Sequence, residues 1–88
     1  MEVFEDNDPG YHAWVYAHLS GYVVNALRGA HPGEPILHRA ICDSITPTPD
    51  RTWTSGDYLK ACADKRYELD AWCRELGERL RPCPLCDP

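Results

Sequence analysis

The sequence predicts an α+β domain: a small antiparallel sheet, in the form of a hairpin, packed on one main C-terminal helix and tied by a structural zinc site. Three observations predict it. Two runs rich in β-branched and apolar residues, YVVNAL (22–27) and ILHRAIC (36–42), flank a turn. Leu69, Trp72, Cys73, Leu76 and Leu80 form one apolar stripe at helical spacing. Histidine and cysteine come in two short clusters, H-x3-C and C-x2-C. With 88 residues the chain has room for one domain.

Taken in order, residues 1–10 are acidic, end in Pro-Gly and read as a flexible tail, leaving 11–88 as the domain. Residues 11–19 suit a short helix, with Asp8 as its cap and Pro9 in its first turn. Alternation of Trp14, Tyr16 and His18 keeps a strand open there. Residues 22–27 read as a strand. The stretch Gly29 to Pro35 holds two Gly and two Pro and must turn. Residues 36–42 return as the second strand. Asp43 to Asp50 is a loop. Thr54 and Asp57 match a capping box, which predicts a short helix through Tyr58, Leu59 and Cys62. The main helix spans 64–79, with Asp70–Arg74 and Glu75–Arg79 on its outer face at the favoured acid-first spacing. The expected core is Val15, Val24, Ile36, Ile41, Leu59, Leu69, Trp72 and Leu76.

Charge and composition exclude several classes. The net charge is −5. Residues 1–50 carry seven acids against two bases, whereas residues 51–88 carry seven of each. This argues against strong non-specific nucleic-acid binding, which runs on phosphate neutralisation by Lys and Arg. No stretch approaches the roughly 20 apolar residues of a membrane span. The first twenty residues carry Glu2, Glu5, Asp6 and Asp8 and no base, unlike a secretory leader. A cytoplasmic monomer is the expectation.

Five cysteines, an odd number, fit a secreted disulfide scaffold poorly. His38 and Cys42 with Cys83 and Cys86 supply four N and S ligands, the donor set of a closed tetrahedral zinc site. Pro84 lacks an N–H, but Leu85 and Cys86 can still donate to thiolate sulfur. A core this small supplies only about 3–5 kcal/mol, whereas structural zinc contributes roughly 10–16 kcal/mol of folding energy. The competing reading makes Cys83 and Cys86 free tail thiols and His38 a strand histidine. Cys62 is a spare ligand if His38 points away. Cys73 lies on the apolar stripe and reads as a small buried hydrophobe. A thioredoxin-type role needs a helix after the first Cys, and only Asp87 and Pro88 follow Cys86.

HRAIC (38–42) and, far downstream, LRPCPLCDP (80–88) resemble the zinc motif of Ada-type DNA phosphotriester-repair domains, C-R-P-x-C followed by R-P-C-x-x-C-x-P. The match covers Arg39, Cys42, Arg81, Pro82, Cys83, Cys86 and Pro88. In that family the first Cys accepts a methyl group, and His38 stands in its place here. The longer run of YVVN, LHRAIC, a helix and C-x2-C is similar to small bacterial Ada-like zinc modules found beside nucleases. The resemblance implies a non-enzymatic Zn2+ module that contacts DNA weakly, or a DNA-processing protein. Arg39, Arg79 and Arg81 are the leading contact residues, with Arg28, Lys60 and Arg74 as further phosphate-facing candidates. A protein-interaction adaptor that uses the acidic start, and a residual alkyl acceptor on Cys42, are the alternatives.

Overall fold

The computed structural model describes residues 1–29 and 31–88. Its elements run β1 (Glu2–Phe4), α1 (Asp8–Ala17), β2 (Tyr22–Leu27), β3 (Gly33–Arg39), β4 (Tyr58–Ala63), α2 (Arg66–Glu75) and β5 (Arg81–Pro82). The strands form one mixed sheet in the order β1-β4-β2-β3-β5. All neighbours are antiparallel except the short β5, which runs parallel to β3. The fold class is therefore α+β.

Register explains how the sheet is covered on both sides. Val23 pairs with Cys62 on one flank and His38 on the other. Successive side chains on a strand point to opposite faces, so these three share a face with Phe4, Lys60, Asn25 and Ile36. That face packs against Tyr11, Trp14 and Val15 of α1 and against Ile45 and Trp53 of the long loop. The opposite face presents Val24, Ala26, Leu37, Leu59, Ala61 and Ala63 to Leu69 of α2, with Trp72 and Leu80 beside them. A slip of one residue in β2 would exchange the two faces, so burial on both sides pins the register.

The expected hairpin is present as β2 and β3, with a register shift between Asn25 and Leu27, but its second strand ends at Arg39 and Ala40–Cys42, expected as strand, lie beyond it in the turn. Of the expected turn Gly29 to Pro35, residues 33–35 already belong to β3, and Ala30 lies outside the described residues.

Several other expectations are corrected. Residues 1–10 are built into the fold: β1 pairs with β4, Phe4 is buried, and α1 starts at Asp8. Arg28 then pins the link between the two elements through paired hydrogen bonds to Asp6, at 2.9 and 2.7 Å. The cap of α1 is Asn7, whose side chain accepts from Gly10 N–H. Asp8 turns instead to the loop and accepts from the Trp53 and Thr54 amides at 3.0 and 2.7 Å. Thr54 caps no helix. Its hydroxyl donates to Asp8 and accepts from Asn7 N–H.

Tyr58–Cys62 is strand β4 rather than a helix. It is a central strand with both faces covered, so its apolar residues run on without alternation. The expected short helix at 11–19 is α1, which starts earlier, at Asp8, and the expected main helix 64–79 is the shorter α2; each has ten residues and they cover opposite faces. α2 stops at Glu75, and Gly77 at φ +71° turns the chain out of it. The Glu75–Arg79 spacing thus falls across the helix end, and the ion pair on this face is Arg66 with Asp70 at 3.7 Å. Val15, Val24, Leu59 and Leu69 are buried as expected, while Ile36, Trp72 and Leu76 are half-buried. Ile41 is 59% exposed, because the chain turns sharply just beyond β3.

Candidate metal centre

His38 is the penultimate residue of β3, and its place opposite Val23 turns the imidazole to the covered face. The chain then folds back on itself. Cys42 N–H donates to Arg39 O at 2.9 Å, and Cys42 O accepts from Ile45 N–H and Thr46 N–H at 3.0 and 2.9 Å. Thr46 adds its hydroxyl to the carbonyls of Ala40 and Cys42. This turn carries the Cys42 thiol back beside His38. On the other side, β5 lies along β3, and Cys83 N–H donates to Leu37 O at 2.8 Å, which extends the parallel pairing. Asp87 N–H closes the Cys83–Cys86 knuckle on Cys83 O at 3.1 Å.

The outcome is that one ligand atom each from His38, Cys42, Cys83 and Cys86 lies within 4.8 Å of all the others. These four residues can hold a metal ion. Three are buried, and Cys86 is half-buried. The donor set suits a metal chemically as well as geometrically. Burial, and then the Lys60 ammonium, hold the His38 imidazole down at about 4, so it is neutral near pH 7 and keeps a lone pair to give. Burial opposes the Cys83 thiolate, but N–H donors from Cys86 and Leu85, with the neighbouring thiols, bring it below its ordinary value. Burial pushes Cys86 up to about 11 despite the Arg39 N–H, with Cys42 and Cys83 adding to the rise. Thiols this close cannot all ionise alone; a cation among them removes the conflict.

Outer contacts orient the ligands. Leu85 N–H donates to Cys83 Sγ at 3.4 Å and Arg39 N–H to Cys86 Sγ at 3.3 Å. Ser44 Oγ lies 3.0 Å from Cys42 Sγ and 3.2 Å from His38 Nδ1. The sequence drew no attention to Ser44. Its only signal is its position two residues after a ligand, within a turn.

The remaining candidates sit elsewhere. Cys62 is fully buried beside Val23 and is not in the ligand cluster, so His38 does not yield its place to it. Burial raises the Cys62 thiol strongly, with Glu2 adding to the rise. Cys73 is buried on α2, and burial with Asp70 and Glu78 lifts it to about 11. Among the arginines, Arg39 spends its guanidinium on the carbonyls of Cys86 and Asp87, at 3.1 and 3.0 Å. Arg28 is engaged by Asp6. Lys60 is only 5% exposed and cannot meet a duplex backbone on an open face. Arg74, Arg79 and Arg81 are exposed. Among the described residues, no helix is long and apolar enough to cross a membrane.

No family model matches this chain, and comparison with curated proteins and with solved structures gives no match.

Proposed function

We propose that this protein is a small, non-enzymatic, cytoplasmic zinc module whose exposed arginines near the metal contact DNA or a DNA-processing partner. The convergence of His38, Cys42, Cys83 and Cys86 carries the reading. Zinc with bonds of about 2.0 Å to nitrogen and 2.3 Å to sulfur holds such tetrahedral donors about 3.5–3.8 Å apart, so donors lying within 4.8 Å of one another need to draw in by at most about 1.3 Å. Zinc supplies no redox chemistry. Four protein ligands leave it no open position for substrate, which favours a structural role. The likeness to Ada-type modules supports a DNA-related setting, and His38 in place of the methyl-accepting cysteine removes the thiolate that alkyl transfer needs. Because Arg39 is held by the C-terminal carbonyls, Arg79 and Arg81 are the better phosphate contacts.

Metal analysis of the purified protein tests the first half. About one zinc per chain is expected, and a chelator should unfold the domain. Metal-free protein with an unchanged melting temperature overturns it. Titration of a labelled duplex at two salt concentrations tests the second half. At most micromolar binding with a shallow salt slope is expected, and loss of it in an Arg79→Ala, Arg81→Ala variant.

One observation favours a protein partner over DNA. Ile41 and Leu85, 59% and 80% exposed, both line the hollow beside Cys42 and Cys86. Apolar side chains at the rim of the metal site suit a protein surface better than a phosphate backbone. If the duplex titration is flat, the adaptor reading leads.

A further inference from the structure

On the α1-covered face a cavity of about 230 Å³ lies between the sheet and the 44–55 loop. Lys60 of β4 lines it, and at 5% exposure is the most buried charged group of the chain among the described residues. Its Nζ donates to Asn25 Oδ1 at 2.7 Å and to the Trp53 carbonyl at 2.8 Å. Beyond these two acceptors, the Tyr11 ring lies 6.0 Å from Nζ and the Asp8 carboxylate acts on the ammonium through space. Among the described residues no carboxylate comes within ion-pair distance of this Nζ. No Asp or Glu lines the cavity at all, in a chain of net charge −5.

A buried charge is costly unless it is paired, and two neutral acceptors pair it only in part. The second cation is Arg51 at the cavity wall. Its guanidinium lies 4.0 Å from the centre of the Trp53 ring, which fixes the plane of the fork. Hydroxyl-bearing Ser44, Thr52, Ser55 and Tyr58 also line it, and Arg51 donates to the Ser44 carbonyl at 3.4 Å. Burial draws the Lys60 ammonium down to about 8, so it is still charged at neutral pH.

We propose that this cavity is a binding site for a small tetrahedral oxyanion of the phosphate class, held by Lys60 from below and by Arg51 from the side. Two cations and several hydroxyl-bearing side chains line it, a donor-rich wall that suits the many lone pairs of a phosphate better than the two oxygens of a carboxylate. At about 230 Å³ the cavity has more room than a lone phosphate needs, so a phosphate carried on a larger molecule also fits. Neither cation is a metal ligand, but Ser44, which touches His38 and Cys42, also lines this cavity, so the site adjoins the metal cluster.

Amide-resolved NMR titration of the metal-loaded protein with inorganic phosphate, at constant ionic strength, is the test. Saturable shifts at Asn25, Ser44, Ile45 and residues 51–60 are expected, with acetate giving none. Lys60→Met should abolish the response. Should that variant fail to fold, Arg51→Gln, at an exposed position, should weaken phosphate binding at least tenfold. Unsaturable shifts, equal binding of acetate, or an unchanged affinity in Arg51→Gln overturns the proposal.

Discussion

Arg39 grips Cys86 twice: its backbone N–H donates to Cys86 Sγ at 3.3 Å, and its Nε donates to the Cys86 carbonyl at 3.1 Å. The residues are 47 positions apart, so this contact fastens the end of β3 to the knuckle without any help from a metal. The two grips separate by mutation. Arg39→Ala keeps the backbone donor to sulfur and removes the guanidinium bonds to Cys86 and Asp87. Those bonds are solvent-exposed, and together they contribute about 1 kcal/mol. Zinc stoichiometry should hold in the variant, while loss of metal to a chelator should speed up about fivefold, the rate equivalent of that energy. An unchanged rate would mean that the side chain only decorates the knuckle.

Asp8 ties α1 to the long loop through the amides of Trp53 and Thr54 and the Thr54 hydroxyl. Burial alone would raise its pKa, but the Thr54 hydroxyl, these amides and Lys60 outweigh it, and the carboxyl sits below its ordinary value. A carboxyl depressed in the folded state adds stability above the unfolded value, and that stability is lost as pH falls through the folded value. Asp8→Asn should therefore cost about 2 kcal/mol near neutral pH, from weakened charge-assisted bonds. Its melting temperature should fall less than the wild-type value does between about pH 5 and pH 3. Parallel pH curves for the two proteins would remove Asp8 from the acid limb.

How far these features could be read in advance depends on the range of the physics behind each. The β2–β3 hairpin and the α2 stripe rest on local periodicity, and both are legible. The His38, Cys42, Cys83, Cys86 set was legible because a ligand cluster leaves its spacing in the sequence. β4 was not, because Thr54 and Asp57 imitate a capping box and point to a helix, and the strand is recognisable only once β1 and β2 are known to flank it. β1 is three residues long and draws its order from pairing with β4. Asn7 and Asp8 are both able to cap, and only the distant Trp53 and Thr54 amides decide between them. Ser44 and Lys60 acquire meaning from neighbours far along the chain.

Gly77 ends α2 at φ +71°, and an added Cβ would meet no atom within 4 Å. The cost of Gly77→Ala is thus purely conformational, about 1 kcal/mol for a side chain forced into the left-handed region. Calorimetry should show that loss with metal content unchanged. A variant as stable as the wild type would show that the α2 end relaxes into another turn.

Cys62 and Cys73 give a matched pair of controls for the ligand set. Each is buried, and neither belongs to the cluster. Truncation of either to Ala removes one sulfur from the core and should cost about 1 kcal/mol, while zinc remains at one per chain. Loss of the metal in Cys62→Ala would move the fourth ligand from β3 to β4.

Ser44 is the sharpest probe of whether the turn after β3 prepares the site. Its hydroxyl is placed between two ligands from different positions of that turn, 3.0 Å from Cys42 Sγ and 3.2 Å from His38 Nδ1. A hydroxyl can donate to the sulfur while it accepts from the imidazole N–H, which fixes the histidine tautomer and leaves the other ring nitrogen for the metal. Outer contacts of this kind are worth about 10–100-fold in metal affinity. Ser44→Ala should therefore bind zinc at least tenfold more weakly in competition with a chromogenic chelator. The fold of the metal-loaded form should be retained, because the half-buried Ser44 side chain fills little space. Ser44→Thr keeps the hydroxyl and should recover most of the lost affinity. If Ala and Thr bind zinc as the wild type does, the hydroxyl is a bystander, and the rigidity of the site comes from the backbone turn through Arg39, Cys42 and Thr46 alone.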